Sequence, residues 1–486
     1  MHNQDIVIVG AGLLGCFAAR ALAAYELDVA VLEAREDVCT GVSRANTGIV
    51  YAGYDTKPGT LKTRLCVAGS RGMEALCREL DVPFSRCGSL MVACSDRAEA
   101  VLRKKYDAGL DNGVEGLRLL SGAEARAMEP NLTKRVSAAL YAPGAGTLEP
   151  WALGIAAFEN ARANGVGFRF GESVHAIRRD GGAFVLETET ETYRARAVLN
   201  CAGLAADRVR ELVEAPLLRL FPTAADYLVL DDTARGFVRH VIFHEPDEKG
   251  KGLTLVPTAD GNLLVGPTER AFAGLPGATD AEGLAWLRGQ CARIVPGLDL
   301  GQTIRSFGAL RPNPFYVQEE NGVWVPEPRG IGSFTVLEED GLVSLIGIKT
   351  PGLTCAKTLG DYAAEKLLAF LGGAARKPDF DPVRRGIPAV RRMAVSERAA
   401  FAAAHPDFGC VVCRCRSVSE GEIRQAIRRG AVSVDGVKRR TGAGMGRCQG
   451  GVCMQRVMEL LAEERGVPAQ AVCMDGPGSE VLHGDL

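Results

Sequence analysis

The tightest constraint on this chain lies in its first 33 residues. Asp5 to Val9 is an apolar run with almost no polar alternation, the pattern of a parallel strand covered on both faces. Gly10, Gly12 and Gly15 follow in the order G-x-G-x-x-G and open a helix that runs to about Ala24. Gly10 makes a tight turn, Gly12 lets a pyrophosphate approach the backbone, and Gly15 lets helix and strand pack closely. The phosphates then rest on the helix N-terminus, where free N–H groups and the dipole favour an anion. A second apolar strand, Val29 to Leu32, ends at Glu33, 18 residues past the last glycine (33 − 15). A carboxylate there binds ribose hydroxyls and disfavours a 2′-phosphate, hence NADP. The unit predicts a Rossmann-type dinucleotide site and leaves NAD and FAD both open.

The rest of the chain narrows the choice. With 486 residues there is room for two or three domains with buried cores. A net charge of −2 points to no nucleic-acid or membrane-surface partner. The apolar stretch Ile6 to Ala24 follows Asp5 with no basic region before it and is broken by glycines, so it reads as strand, turn and helix rather than an export signal or a transmembrane segment. Fifteen cysteines then imply a reducing, cytoplasmic setting. Two distant segments add to the nucleotide site. Leu199-Asn200-Cys201-Ala202-Gly203 is a strand running into small residues. Leu345 to Thr354 is a strand that breaks at Pro351–Gly352 and is expected to open a helix whose N-terminus faces a flavin ring. Each alone is an ordinary strand-to-helix turn; together with the first motif they favour FAD.

The block from Ser43 through Arg44, Asn46, Thr47, Tyr51, Tyr54 and Pro58 to Lys62 resembles the flavin-proximal loop of the D-amino-acid-oxidase-like FAD superfamily. Within it, the likeness is greatest to the branch of FAD-dependent glycerol-3-phosphate and L-2-hydroxyglutarate dehydrogenases. Gly146–Pro150, Gly250-Lys251-Gly252, Gly261–Thr268, Gly308–Pro312 and Pro351–Thr354 share it, so the likeness spans roughly residues 4 to 370. It implies a glutathione-reductase-like α/β FAD domain with an inserted β-rich substrate domain. FAD-binding segments are expected at about 1–75, 145–207 and 335–371, and substrate-domain segments at about 76–144 and 208–334. Strand-like stretches such as Phe184–Glu189 and Tyr227–Leu230 lie between the nucleotide-binding pieces. Motif and resemblance together set the cofactor against Gly10, Gly12, Leu14, Gly15, Glu33, Ala34, Arg35, Ser43, Asn46, Thr47, Val174, Ala202, Gly203, Gly308, Pro351, Gly352, Leu353 and Thr354.

The character changes after Leu371. Residues 372–408 are rich in Ala, Arg and Pro without a sustained pattern and read as a linker or wrapping arm. Residues 409–465 hold Cys413-x-Cys415 and Cys448-x₄-Cys453 on a small helical module, with a tail at 466–486. Ser419 and Glu422 form a capping box for a helix ending near Gly430; further helices are expected from Ser433 and from around Gly451 to about Glu464. Four thiolates suit Zn²⁺ or an iron–sulfur cluster, and Cys410-x₂-Cys413 keeps zinc open. The spacing, and above all Met445 to Cys453, resembles the bacterioferritin-associated-ferredoxin-like [2Fe–2S] domain. That resemblance implies Cys413, Cys415, Cys448 and Cys453 as ligands, with Cys410 a bystander. Eleven Lys/Arg against six Asp/Glu over 409–465 give this small all-α module a basic surplus. The surplus suits a negatively charged cluster, a solvated face or an acidic docking partner.

Flavin and cluster together read as a two-to-one electron converter, so the expected activity is a dehydrogenase passing electrons to a redox partner protein or a quinone-linked acceptor. The location expected is cytoplasmic, or peripheral at the membrane through that partner. The family's substrates are small anionic secondary alcohols, glycerol 3-phosphate foremost, with 2-hydroxy acids and amino acids as rivals. A non-enzymatic electron-transfer subunit is the reading from another class. Arg311, before Pro312, is the expected anion clamp, unless it serves a structural ion pair. Lys349 is expected to reach flavin or substrate, and Tyr51 and Tyr54 to line the pocket, unless they are core packing. Position 51 is usually His in the resembling family; tyrosine is a poor base at neutral pH, and His244 is a candidate replacement.

Overall fold

The strand His2–Val9 takes the centre of a parallel array. It pairs with Val29–Glu33 on one side and Thr192–Asn200 on the other, in register Val9 to Leu32 and Val9 to Asn200. Gly167–Phe170 extends the array beyond Val29–Glu33, and Leu342–Ile346 pairs in parallel with the end of Thr192–Asn200. The computed structural model describes residues 1–244, 252–272 and 274–482. The parallel strands point their C-terminal ends at one edge, where ligands of open α/β sheets bind. Helices Leu13–Leu22, Pro150–Ala163 and Ala356–Phe370 pack on this sheet around a core that includes Ile6, Ile8, Phe17, Leu22, Phe158 and Leu359.

A second, nine-stranded sheet runs through Arg270–Ala271, Thr223–Leu230, Leu263–Gly266, Thr254–Pro257, Val241–His244, Ser89–Ala93, Ala138–Ala142 and Arg118–Ser121, with Thr303–Arg311 also on Thr223–Leu230. The two alternating stretches noted in the sequence therefore part company. Tyr227–Leu230 belongs to this second sheet, whereas Ala183–Glu187 pairs antiparallel with Thr192–Asn200 in the first. Gly250 and Lys251, part of one shared family segment, lie outside the described residues.

Two expected boundaries move and one helix is added. The helix expected at Pro351–Gly352 starts only at Ala356. The Gly352 N–H donates to Lys349 O (2.7 Å) and the Cys355 N–H to Pro351 O (3.1 Å), so residues 349–355 form a turn before the helix. The last helix of the cysteine module starts at Met454 rather than near Gly451, because Gln449 and Gly450 take positive φ and wrap the chain past Cys448. Residues 372–408 are not patternless: they contain the helix Val395–Ala404. That helix buries no residue, so no apolar stripe marks it in the sequence. The arm before it is strapped down, with Lys377 N–H donating to Ala24 O and the Asn160 amide to Asp381 O.

The C-terminal module packs Val418, Ile423, Ala426, Val437, Val457, Leu460 and Leu461 into a core of its own. Its helices Glu420–Arg428 and Val434–Thr441 begin as expected, each with its serine accepting a backbone N–H at the N-cap. The tail joins that core through fully buried Val472.

Candidate active site and cluster site

At the C-terminal edge of the parallel sheet opens a cavity of about 680 Å³, within the range of ligand and cofactor pockets. Its floor is the glycine turn. Gly10 has φ +102°, and a β-carbon there would come within 2.6 Å of Cys201 O, so only glycine lets the two strand ends meet. A β-carbon at Gly15 would collide with the Gly10 carbonyl; this glycine packs helix on strand and does not line the cavity. The Glu33 carboxylate lines it and is fixed by the N–H groups of Ala11 (2.7 Å) and Arg35 (3.0 Å). Burial pushes Glu33 up despite those two donors. Leu14, Ala34, Arg35, Ser43, Asn46, Thr47, Val174, Ala202, Gly203, Pro351, Gly352 and Leu353 also line the cavity.

Several of these residues also hold the walls together. Ser43 Oγ accepts from the Leu13 N–H at 2.9 Å and so satisfies a helix N-terminal donor. Asn46 folds its own loop, donating to Ser43 O and accepting from the Gly48 N–H. Besides Gly15, two more expected cofactor contacts are corrected. Thr354 is wholly buried behind the wall, where its Oγ1 accepts from the Tyr51 N–H at 2.9 Å. Gly308 lies off the cavity, donating to Gly277 O, while its neighbours Ala309 and Leu310 face in.

The cavity continues into a smaller one of about 260 Å³ lined by Tyr51, Lys62, Glu269, Arg311, Asn313 and Lys349. Arg311 ends the strand Thr303–Arg311 and lines both spaces, its Nη1 donating to Glu269 Oε2 at 3.3 Å. Arg311, expected as the clamp, therefore reaches both spaces while charge-paired to Glu269. Lys349 Nζ donates to Asn313 Oδ1 at 2.6 Å. Burial, then the nearby Lys62, lowers the Lys349 pKa, and burial lowers that of Lys62. Tyr51 stacks on Phe243 with ring centroids 5.7 Å apart, and burial, then Tyr227, pushes its phenol far above the usual value. It stays protonated and can donate a hydrogen bond but not act as a base. Tyr54 is corrected in part: it lines only the smaller space and otherwise packs in the core with Val67, Met91 and Val114. His244 lines the main cavity at the end of the strand Val241–His244.

Lys62, Glu269, Asn313, Tyr227 and Phe243 were not singled out in the sequence. Lys62 lies on the helix Leu61–Glu79, Tyr227 on a strand and Glu269 beyond another, and no local pattern distinguishes them from surface or core residues.

The four candidate ligand cysteines converge as two close pairs. Cys415 and Cys448 lie with sulfurs 3.6 Å apart, and the Cys453 thiol hydrogen-bonds to Cys413. That bond, with backbone N–H groups of Gly444 and Arg416, holds the Cys413 thiol down near 6 despite burial. Backbone donors from Val452 and Gly450 likewise lower Cys448. Four cysteine sulfurs with backbone N–H donors beside them suit an iron–sulfur cluster, whose potential such bonds help set, and two pairs suit two irons. Among the described residues no three His, Cys, Asp or Glu side chains converge as on a single metal ion. Cys410 is exposed and outside the pairs.

Residues 5–366 match the FAD dependent oxidoreductases (DAO). The chain belongs to this FAD-dependent oxidoreductase family. Residues 411–463 match the BFD-like [2Fe-2S] binding domain, so the oxidoreductase uses FAD and carries a [2Fe–2S] cluster. It is 38% identical over 483 residues to a glycerol 3-phosphate dehydrogenase of Caloramator mitchellensis, covering 99% of this chain and 98% of the relative. It is 30% identical over 280 residues to the mitochondrial L-2-hydroxyglutarate dehydrogenase of Homo sapiens, covering 54% and 60%. Among solved structures its fold matches FAD-bound L-alpha-glycerophosphate oxidase of Mycoplasma pneumoniae with TM-score 0.71 at 24% identity, over 80% of this chain and 100% of that one. It also matches the FAD complex of glycerol-3-phosphate dehydrogenase of Bacillus halodurans with TM-score 0.65 at 16% identity, over 96% and 91%. No helix among the described residues of this oxidoreductase is long and apolar enough to cross a membrane.

Proposed function

We propose that this oxidoreductase converts glycerol 3-phosphate to dihydroxyacetone phosphate and passes the electrons from flavin through its own [2Fe–2S] cluster to an external one-electron acceptor. The observation that carries the reading is the triad of cations, Arg311, Lys349 and Lys62, around a small space that opens off the cofactor cavity. Bound FAD supplies a two-electron oxidant and the cluster a one-electron carrier. The chain's own part is to hold the anion. Arg311 offers a planar fork and the two lysines compact point charges, a combination suited to a phosphate ester. Tyr51 remains a neutral donor beside them, and the pairing of Arg311 with Glu269 orients the guanidinium.

The test is anaerobic mixing with a panel of phosphorylated polyols, 2-hydroxy acids and amino acids, followed at the flavin band. Glycerol 3-phosphate is expected to bleach it; bleaching by 2-hydroxyglutarate or an amino acid alone would overturn the assignment. The partial likeness to the 2-hydroxyglutarate enzymes makes that acid the first rival, because the same cations accept a carboxylate.

A pH dependence follows from the lysines. Their folded pKa values lie below the ordinary 10.4 or so of lysine, so each loses its charge as pH rises through that depressed value. KM for an anionic substrate is therefore expected to climb with pH below the ordinary lysine range, while the protonated site at lower pH binds well. Lys349→Arg, charged throughout, should push the climb to higher pH. An unshifted KM profile would remove Lys349 from the binding site.

A further inference from the structure

The loop that walls the FAD cavity is also the seat of the C-terminal domain. Ala34 and Arg35 face the cavity on one side of the loop, and Thr40, Gly41, Val42 and Ser43 on the other. Between them Asp37 turns the opposite way. Its carboxylate is 1% exposed and takes hydrogen bonds from Arg439 Nη2 at 2.8 Å and from Arg440 Nη1 and Nη2 at 2.7 Å. Those guanidiniums are themselves only 4% and 1% exposed. A β-carbon at Gly436 would stand 3.2 Å from Asp37 Oδ2, so the helix Val434–Thr441 approaches the carboxylate with its backbone. Seven residues along, Arg44 Nη1 donates to Asp475 Oδ2 at 2.7 Å, and Arg439 reaches the same Asp475 at 3.4 Å.

The front of the loop is tied just as closely to the nucleotide turn. The Cys39 N–H donates to Ala11 O at 3.0 Å, and Ser43 Oγ accepts from the Leu13 N–H. One short segment is thus hydrogen-bonded to the FAD cradle on one side and ion-paired to the cluster domain on the other. Burial alone would raise the Asp37 pKa; Arg440 and Arg439 outweigh it and hold the carboxylate below its usual range. Breaking a buried ion pair by removing one partner leaves uncompensated charge and is strongly destabilising. Here Arg440 would lose its carboxylate partner, and Arg439 would keep only Asp475 at 3.4 Å.

We propose that Asp37 is a positioning residue for both cofactors, through which FAD binding and seating of the [2Fe–2S] domain stabilise one another. Coupling of this kind is reciprocal: if seating the domain tightens FAD by some factor, FAD tightens the seating by the same factor. The inference depends on the FAD cavity and the ion pairs, and it holds whatever the substrate is.

The experiment uses the full-length protein with its cluster, stripped of FAD and reloaded. FAD is expected to raise hydrogen-exchange protection of the Val434–Thr441 amides by about tenfold. It should do much less at the helix Ala281–Ile294, which packs on the second sheet. Asp37→Asn is expected to weaken FAD binding, measured by flavin fluorescence titration, by about the same tenfold factor and to erase the FAD effect on Val434–Thr441. Asp37→Glu should restore part of both. If FAD leaves the exchange of Val434–Thr441 unchanged in the wild-type chain, the coupling does not exist. This arm needs no variant to fold. FAD binding by Asp37→Asn at wild-type strength, with the cluster retained, would equally overturn the role of Asp37.

Discussion

Arg311→Ala is expected to lower kcat/KM for glycerol 3-phosphate by about 10²- to 10³-fold while FAD content and cluster absorbance stay at wild-type levels. Each charge-assisted hydrogen bond to an anion contributes about 1.5–3 kcal/mol, and a bidentate fork supplies two, so a loss of about 3–4 kcal/mol is reasonable. The structure gives a second reason for a large effect. Arg311 neutralises Glu269, which lines the same space. Without the guanidinium, that carboxylate faces the incoming anion directly. The two contributions separate in a pair of further variants. Arg311→Lys keeps the charge but loses the fork, so it should recover only part of the rate. Adding Glu269→Gln to Arg311→Ala removes the repulsion and should recover another part. Steady-state kinetics on the purified variants, with FAD content and cluster absorbance as the check of folding, decides the matter. A kcat/KM within about threefold of wild type, less than 1 kcal/mol, would mean that Arg311 serves only its ion pair.

The nucleotide half of this site was readable in the sequence because its determinants are local. Strand, glycines, helix, strand and Glu33 occupy one short stretch, and every one is where the spacing placed it. Ser43 and Asn46 show where local reading blurs. Short polar side chains that could touch a cofactor also satisfy backbone donors, and here both bond the protein's own loops while lining the cavity. Thr354 carried the same signal and turned out to brace Tyr51 from behind. The substrate half was only half legible. Arg311 and Lys349 stood out beside rigid Pro-containing turns, but Lys62, Glu269 and Tyr227 reach them from other elements of the fold. Likewise the basic surplus of the C-terminal module had three readings in the sequence. In the fold much of it meets carboxylates of the rest of the chain: Arg439 and Arg440 at Asp37, Arg416 at Asp260, Arg447 at Asp231 and Arg429 at Glu159. Asp37 and Arg439 are 402 residues apart; nothing in either local sequence announces the other.

Cys453→Ser is expected to abolish the cluster yet leave flavin reduction by substrate intact, dividing the reaction into its two halves. Cys413 and Cys453 are the buried pair, 1% and 2% exposed, so a serine at 453 removes a thiolate that no solvent or neighbouring cysteine can replace. Of the two spare thiols nearby in sequence, Cys410 is exposed and Cys473, half-buried in the tail, donates to Ala471 O. The module is expected to stay folded nevertheless, on an apolar core of Val418, Ile423, Val437, Leu460 and Leu461 that also packs against Cys413 and Cys453. The ion pairs of Arg424 and Arg428 with Glu464 tie two of its helices together as well. The measurable consequence is a split. Anaerobic bleaching of the flavin band should proceed at the wild-type rate, and a dye that accepts electrons directly from flavin should sustain turnover. Turnover with a one-electron protein acceptor should fall by about two decades, equivalent to about 3 kcal/mol in the effective barrier. Undiminished reduction of that acceptor by a cluster-free variant would show that electrons leave from the flavin itself, and the cluster would then need another role. Loss of FAD along with the cluster would show instead that the metal, rather than the apolar core, keeps the module in place.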